Sequence, residues 1–454
     1  MKHGMMKSLE DMKAQGSSLN NYDYLFPRDL ERLDSQNKEH IIKGLTELGK
    51  VMTSKPSADA VQLEAFFTYL GQFIDHDLTN SSIKKELDAT IDNDSFEVVD
   101  ASTNIQDLVQ NIRTGTMEMD SLYNTSAIDA SGRFILGNLE DELGENGNDL
   151  PRDPNKEALI GDGRNDENLA VAQTHVAFLK FHNAIMDKEG VSGAEARKIA
   201  TQHYQWLLIH DFLKAVVDYN YVQQALVFGN RFFKPTNDNF FLPLEFTMAA
   251  FRLGHSMVRD AYDWNIPKGK LTLLDLFDSG DLGGQVPPPL NRKIDWKIFT
   301  TNKSKKLDSS IIDPLDNIPD LEINLAVRNL RRGYMFGLPT GQAVAKAVLF
   351  DHSLVLSAKE LLEHSTPEEQ AVLQQYNFHL QTPLWYYILK EAEIRANGEH
   401  LGPVGTAIVA EVFLASIRLS PYSILQESNW QPILAPNFDF RALLHYTGLL
   451  EPTV

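Results

Sequence analysis

The 454-residue chain contains no cysteine, and that absence excludes disulfide bonds, thiolate-held metals and thiol nucleophiles together. Positive charge is also in short supply. With 42 Lys and Arg against 62 Asp and Glu, the formal charge is 42 − 62 = −20, which argues against broad attraction to nucleic acid or to an anionic membrane surface. No window holds 18 uncharged apolar residues, and the opening MKHGMMKSLEDMKAQ lacks the apolar core of a secretion signal. The expected compartment is therefore the cytoplasm, with no membrane partner. The metal-ligand pattern HExxH is missing too, and without a heptad repeat the sequence leaves the oligomeric state open.

Apolar residues make up 43% of the chain, with 24 Phe and 14 Tyr, enough for a substantial core. They recur at helical spacing over 39–52, 171–186, 196–217, 243–258, 323–332, 385–396 and 405–417. Alternation of strand type is scarce. Three polar or Pro/Gly-rich stretches separate the helices, at 84–100, at 140–163 and from about Pro267 to Pro319. No compositional switch flanks them and no repeat is visible. The expected architecture is mainly α, a single large helical domain over 1–454 with long loops and little strand.

One helical stretch breaks the apolar pattern: LGQFIDHDLT, residues 70–79. Residues three and four apart share a helix face, so Gln72, Asp75 and His76 point the same way while Asp77 turns roughly 100° aside. Burying such groups is costly unless they find partners. Asp75 and His76 could form an ordinary buried hydrogen-bonded network, or the cluster could hold a divalent metal. Neither reading accounts for Gln72 one turn upstream.

GQFIDHDLT resembles the distal-helix signature of the animal-type haem peroxidases, the peroxidase–cyclooxygenase superfamily, in which Gln, Asp, His and Asp stand at this spacing. Three further elements of the family pattern follow in order. GDGRNDENLAVAQTHVAFLKFHNAI (161–185) supplies Arg164 and Glu167 at a helix start and then His182-Asn183. EFTMAAFRLGHSMVR (245–259) puts His255 at the end of an amphipathic helix with Arg252 three residues earlier, and LAVRNLRRGYMFGLP (325–339) places Asn329 ahead of GLP. Taken singly, Glu167 is a first-turn acid favoured by the helix dipole, Arg164 a surface residue, His255 a satisfied core histidine and Asn329 a polar helix residue. In family order across 70–339 they are not independent coincidences. The resemblance covers nearly the whole chain, is weakest over 1–60, returns in LGPVGTAIVAEVF (401–413), and with no cysteine is closer to bacterial members.

The resemblance implies haem b held by His255, with Asn329 accepting the proton of the ligand's other ring nitrogen and raising its basicity. On the opposite face it implies His76 as the base for hydrogen peroxide cleavage, Arg164 as the fixed cation for developing negative charge, and Gln72 as a hydrogen-bond partner for distal water or an anion. Small donors (halides, thiocyanate or phenols) would then be oxidised through a ferryl haem intermediate. Asp75 and Glu167 match the carboxylates that form ester bonds to haem methyls. Asn168 stands where one branch has a sulfonium-forming methionine, so that third link cannot form. Asp77 corresponds to a calcium ligand, with partners from RTGTMEMDSLY (113–123): Thr114, Thr116 through its carbonyl, Glu118 and Asp120, an oxygen set suited to Ca²⁺. Glu118 replaces a shorter Asp. Arg252 belongs near a haem propionate or the substrate channel.

Two other readings remain in view. A fatty-acid dioxygenase or cyclooxygenase-like enzyme would need a radical-forming Tyr three residues before the proximal His, where this chain has Arg252. A non-enzymatic haem- or calcium-binding protein would have no use for the set Gln72, His76 and Arg164.

Overall fold

The apolar periodicity is realised as a mainly helical molecule. A computed structural model describes residues 20–83, 90–91, 96–100, 102–144, 146–277, 287–315 and 324–451. Its longer helices are α1 (Lys38–Ser54), α2 (Phe66–Leu78), α3 (Leu169–Glu189), α4 (Gly193–Leu207), α5 (Tyr219–Phe228), α6 (Leu325–Met335), α7 (Leu384–Ala396) and α8 (Pro403–Leu419). One continuous apolar cluster runs through them. None of the described helices is long and apolar enough to cross a membrane.

The expected helices at 39–52, 171–186, 323–332, 385–396 and 405–417 all form, with ends that hold or extend by one to three residues except at the start of α6, which falls at Leu325. Capping explains several boundaries. The Asn168 side chain accepts from Val171 N at 3.0 Å to start α3, and Gly190 ends it with φ of 65°, a left-handed turn that glycine adopts freely.

Two expected helices are broken. The segment 196–217 stays helical only by passing through a π turn at Leu208–Phe212 between α4 and a short Leu213–Val216 helix. The segment 243–258 is not one amphipathic helix but Leu244–Met248, a 3-10 turn Ala250–Leu253 and a single α turn Gly254–Met257. The break falls at Ala249, with φ −134° and ψ −72°. It is held by one local and one tertiary bond: Arg252 Nε donates to Thr247 O at 2.8 Å, and the Trp385 indole N–H on α7 donates to Arg252 O at 3.4 Å.

At the centre, α2 packs on α3 and α4. Phe73 of α2 stacks on Phe178 of α3 with centroids 4.6 Å apart and planes within 6°. Tyr204 of α4 meets both rings edge-on. Ten of the thirteen α2 residues are buried, so its polar groups sit in the interior.

Eight short strands are present among the described residues: β1 (Asn20–Asp23), β2 (Asp59–Glu64), β3 (Ser81–Ile83), β4 (Val109–Asn111), β5 (Phe241–Pro243), β6 (Ala261–Asn265), β7 (Gly269–Thr272) and β8 (Lys303–Lys305). β2 pairs with β8 and β6 with β7. The remaining four form a sheet in the order β3-β4-β1-β5, with β1 parallel to β5 and the other pairs antiparallel. This small sheet fixes the site. β3 follows α2 directly and β5 leads directly into the broken segment that carries His255.

Of the expected polar stretches, 84–89 and 92–95 fall outside the described residues, as do 1–19, 278–286 and 316–323. Among its described residues the stretch 140–163 runs without helix up to a 3-10 turn that begins at Gly163, and it is tied down by isolated bridges such as Gly137 to Asp149 and Arg152 to Ala158. The described part of 267–319 carries β7, β8 and the short helices Leu273–Phe277 and Trp296–Phe299, more order than its composition suggests.

Candidate functional site

The site residues of α2 are fixed where the helix ends. Thr79 caps its last turn, with backbone N–H to Asp75 O at 2.8 Å and Oγ1 to the same oxygen at 2.9 Å. His76 is buried, and its Nδ1 lies 2.7 Å from Asn165 Oδ1. Asn165 Nδ2 in turn lies 2.9 Å from His175 Nδ1 on α3. Burial, followed by the charge of Arg164, holds the His76 imidazole below its ordinary pKa, so it is a neutral ring.

Arg164 sits in the 3-10 turn Gly163–Asp166 just before α3. Asp162 orients it, accepting from Nε at 3.0 Å and from an Nη at 2.7 Å, while the same Nη donates to Thr79 O. Asp162 also receives Arg113 at 2.5 Å. Burial alone would raise the Asp162 carboxyl, but Arg164, His76 and Arg113 together hold it well below the carboxylate range. Burial would lower the Arg164 guanidinium, and Asp162 more than compensates. Arg164 is thus a permanent cation, about one-fifth exposed on its open side.

Gln72 accepts from Asn168 Nδ2 at 3.0 Å, one contact holding α2 against the start of α3. Asp75 is 3.8 Å from the Arg252 guanidinium and accepts weakly from Thr79 Oγ1 at 3.3 Å. Glu167 is half-buried just ahead of the Asn168 cap rather than inside the first helical turn, and its charge reaches both His76 and Arg164. Gln72, Asp75, His76, Arg164, Glu167 and Arg252 therefore converge.

His255 is half-buried in the Gly254–Met257 turn, which packs against α2. Burial and the nearby Arg252 charge push its pKa down to about 3, leaving a neutral imidazole. Trp385 meets the ring edge-on at 6.4 Å. Asn329 of α6 reaches it as expected, but the amide nitrogen, not the oxygen, faces His255 Nδ1 at 2.7 Å. A half-turn of this near-symmetric amide exchanges the two atoms without moving the backbone, and only the oxygen-facing form leaves His255 Nε2 with the lone pair a metal needs. A cavity of about 20 Å³ borders Asn329, Trp385 and Met248, room for about one water.

Asp77 leaves that face as expected. It is fully buried, with Asp120 N donating to Oδ1 at 2.5 Å and the Tyr204 hydroxyl donating to Oδ2 at 3.1 Å. Asp120 Oδ2 accepts from Thr114 N at 2.8 Å and Thr114 Oγ1 at 3.0 Å, and Thr116 Oγ1 donates to Glu118 Oε1. The Thr116 carbonyl accepts from Glu118 N at 2.9 Å. Gly115 at φ 74° and Met119 at φ 57° fold this loop tightly. Burial, then the Asp120 charge, raises the Asp77 carboxyl well above normal. Neither Asp77 nor Asp120 has an ion-pair partner among the described residues, nor do these residues include a group of three or more His, Cys, Asp and Glu arranged to hold a metal.

Asn165, His175, Asp162 and Tyr22 were not anticipated from sequence. Tyr22 of β1 is buried, bonds Ser81 Oγ at 2.6 Å, and lies within the fields of Asp75, Arg164 and Arg252. The one local signal was Asp162, two residues before an arginine whose guanidinium needs a carboxylate.

Comparison with known proteins bears on the family and the fold. Residues 101–418 match the family described as animal haem peroxidase. A peroxidase-like protein of Margaritifera margaritifera is 25% identical over 285 residues, 56% of this chain, and the match spans 36% of that relative's length. Peroxidase A from Dictyostelium discoideum superposes with a TM-score of 0.61 at 17% identity over 90% of this chain and 88% of its own. A fatty acid alpha-dioxygenase of Arabidopsis thaliana superposes at 0.60 and 15% identity over 93% and 75%. At such identities the superpositions speak for the fold, while the family match spans more than two thirds of the sequence: the chain belongs to the animal haem peroxidase family.

Proposed function

We propose that this chain is a haem peroxidase that uses hydrogen peroxide to oxidise small donors such as halides, thiocyanate or phenols. The observation that carries the reading is the pairing of a buried neutral imidazole, His76, with a carboxylate-anchored cation, Arg164, where α2 packs against the turn that bears His255, whose Nδ1 meets Asn329 of α6. The residues fit haem: a neutral histidine for the iron with a partner on its second nitrogen, and Arg252 for a propionate. When bound, haem would supply an iron site at which peroxide is reduced and from which donors are oxidised.

The chain's own groups then divide the work. His76 takes the proton from the incoming peroxide oxygen and returns it to the leaving oxygen. Arg164 stabilises the negative charge that develops as the oxygens separate, at no cost in reorganisation because Asp162 already holds it in place. Gln72 orients water or a small anion beside them. Asp75 and Glu167 are the carboxylates that would form esters with haem methyls. In the present arrangement Asp75 faces Arg252, so ester formation would exchange an ion pair for a covalent bond. Asp77, Asp120, Glu118, Thr114 and the Thr116 carbonyl form an oxygen-rich loop, and the two buried carboxylates without a basic partner call for a cation such as Ca²⁺.

The test is spectroscopic and kinetic. Haem-loaded protein is expected to show a Soret band that shifts on adding peroxide and to oxidise iodide, thiocyanate or a phenolic dye. His76→Ala should slow the peroxide reaction by about 100-fold or more. No donor oxidation by the loaded wild type would overturn the reading. Oxygenation of a fatty acid in place of donor oxidation would favour the dioxygenase alternative, which Arg252 disfavours. Acid–organic extraction after peroxide turnover should leave haem on the protein, and complete release would refute the esters.

A further inference from the structure

A histidine can serve as base at Nε2 only if its proton resides on Nδ1, and in a buried site the partner of Nδ1 decides this. Here that partner is an amide whose other end is also engaged. Asn165 is fully buried between two histidines, with Oδ1 2.7 Å from His76 Nδ1 and Nδ2 2.9 Å from His175 Nδ1. An amide oxygen only accepts, so His76 Nδ1 carries the hydrogen and Nε2 the lone pair. An amide nitrogen only donates, so His175 Nδ1 carries a lone pair and its hydrogen sits on Nε2. We propose that Asn165 and His175 are positioning residues that keep the His76 proton on Nδ1 and so leave Nε2 free as the base. The inference rests on the peroxidase reading for what His76 does, but not for how its tautomer is set.

The three groups switch together. Were the Asn165 amide to turn over, its oxygen would meet a lone pair on His175 and its nitrogen an N–H on His76, so both rings would have to change tautomer with it. His175 is fully buried against Phe73, ring to ring at 5.7 Å and 74°. Its Nε2 has no hydrogen-bond partner among the described residues, so only its Nδ1 is engaged. Burial keeps the His175 ring neutral, with its pKa down to about 3, so it does not abandon its acceptor role by becoming a cation. His175 thereby acts through Asn165 on a base it does not touch.

The test reads the proton directly. Nitrogen-15 histidine spectra of the haem-loaded protein in its diamagnetic ferrous carbon monoxide form distinguish a protonated from an unprotonated ring nitrogen at His76. The expected wild-type result is Nδ1–H and bare Nε2. His175→Leu, which removes the acceptor for the amide, should give a mixed or reversed His76 tautomer and slow the peroxide reaction roughly tenfold, with the KM for the reducing donor unchanged. His175→Gln offers an acceptor oxygen in the same place and should restore both. Nε2–H in the wild type, or a His76 tautomer unmoved in His175→Leu, overturns the proposal, and the wild-type spectrum decides even if a variant does not fold. A wild type with the expected tautomer but no peroxide reaction would sink the peroxidase reading and leave the tautomer assignment intact.

Discussion

Asp162 carries more of the distal site than any residue expected from the sequence. One buried carboxylate receives Arg164 at 2.7 Å and Arg113 at 2.5 Å, and the Arg113 side chain is only 3% exposed. Removing one partner of a buried pair leaves an uncompensated charge, which costs about 3–5 kcal/mol. Asp162→Asn should therefore lower the denaturant midpoint by that order. It should also slow the peroxide reaction even where the protein stays folded, because Arg164 loses the contact that aims it. An Asp162→Asn variant with wild-type stability and rate would show that Arg164 is held by Thr79 O alone. On the other side, Asn329→Ala removes the polar partner that His255 Nδ1 has among the described residues. Loss of such a partner typically costs 10–100-fold in affinity, so haem titration should show weaker binding by about that factor, with the fold unchanged.

Helices written as regular apolar repeats, such as α1, α3, α7 and α8, were legible because their periodicity is local. The π turn at Leu208–Phe212 and the break at Ala249 were not, and the break is held in part from a distance, by an α7 indole bonding Arg252 O, 133 residues away. The same holds within the site. His76, Arg164, His255 and Asn329 each lie in a recognisable stretch, whereas the His76–Asn165 contact joins positions 89 apart and leaves no local pattern.

A second long-range device joins α7 to α8. Gly402 at the start of α8 has no side chain to cap it, and Glu391 of α7 does so instead, Oε2 accepting from Val404 N at 2.8 Å. A Cβ on Gly402 would lie 2.5 Å from Glu391 Cγ, so the glycine makes room for the carboxyl. Glu391 is fully buried, and burial raises its pKa to about 8 despite the Val404 and Gly405 N–H groups. A folded pKa above the unfolded one contributes stability that is complete below about 4.5 and is lost as pH rises through about 8. Glu391→Gln stays neutral throughout. Its unfolding free energy relative to wild type should therefore rise by on the order of 2 kcal/mol between pH 6 and pH 9.5, as measured by denaturant titration. A difference independent of pH would mean that Glu391 is ionised in the folded protein.

The molecule as a whole carries a charge of −20, yet Asp77 and Asp120 are both buried in its interior, joined by the Asp120 N–H, with no basic side chain paired to either among the described residues. Their surroundings join separate parts of the fold. Asp77 ends α2, Asp120 closes the loop anchored by Thr114, and Tyr204 reaches in from α4 to bond Asp77 Oδ2. A cation seated there would offset the burial and, after it, the Asp120 charge that raise Asp77, and would tie helix, loop and helix into one unit, with His76 one residue from the ligand. Calcium at about 100 times its dissociation constant should then stabilise the protein by about 2.7 kcal/mol, seen as a higher melting temperature than in a chelator or in magnesium, whose octahedral demand this flexible oxygen set meets less well. Asp77→Asn keeps the shape, with Oδ1 still accepting from the Asp120 amide and the Tyr204 hydroxyl turned to accept from Nδ2, but halves the buried charge. It should melt close to the calcium-free wild type and no longer respond to calcium. A wild type that melts at the same temperature with calcium as with chelator would mean that Asp77 is held neutral and structural, by Tyr204 and the Asp120 amide alone.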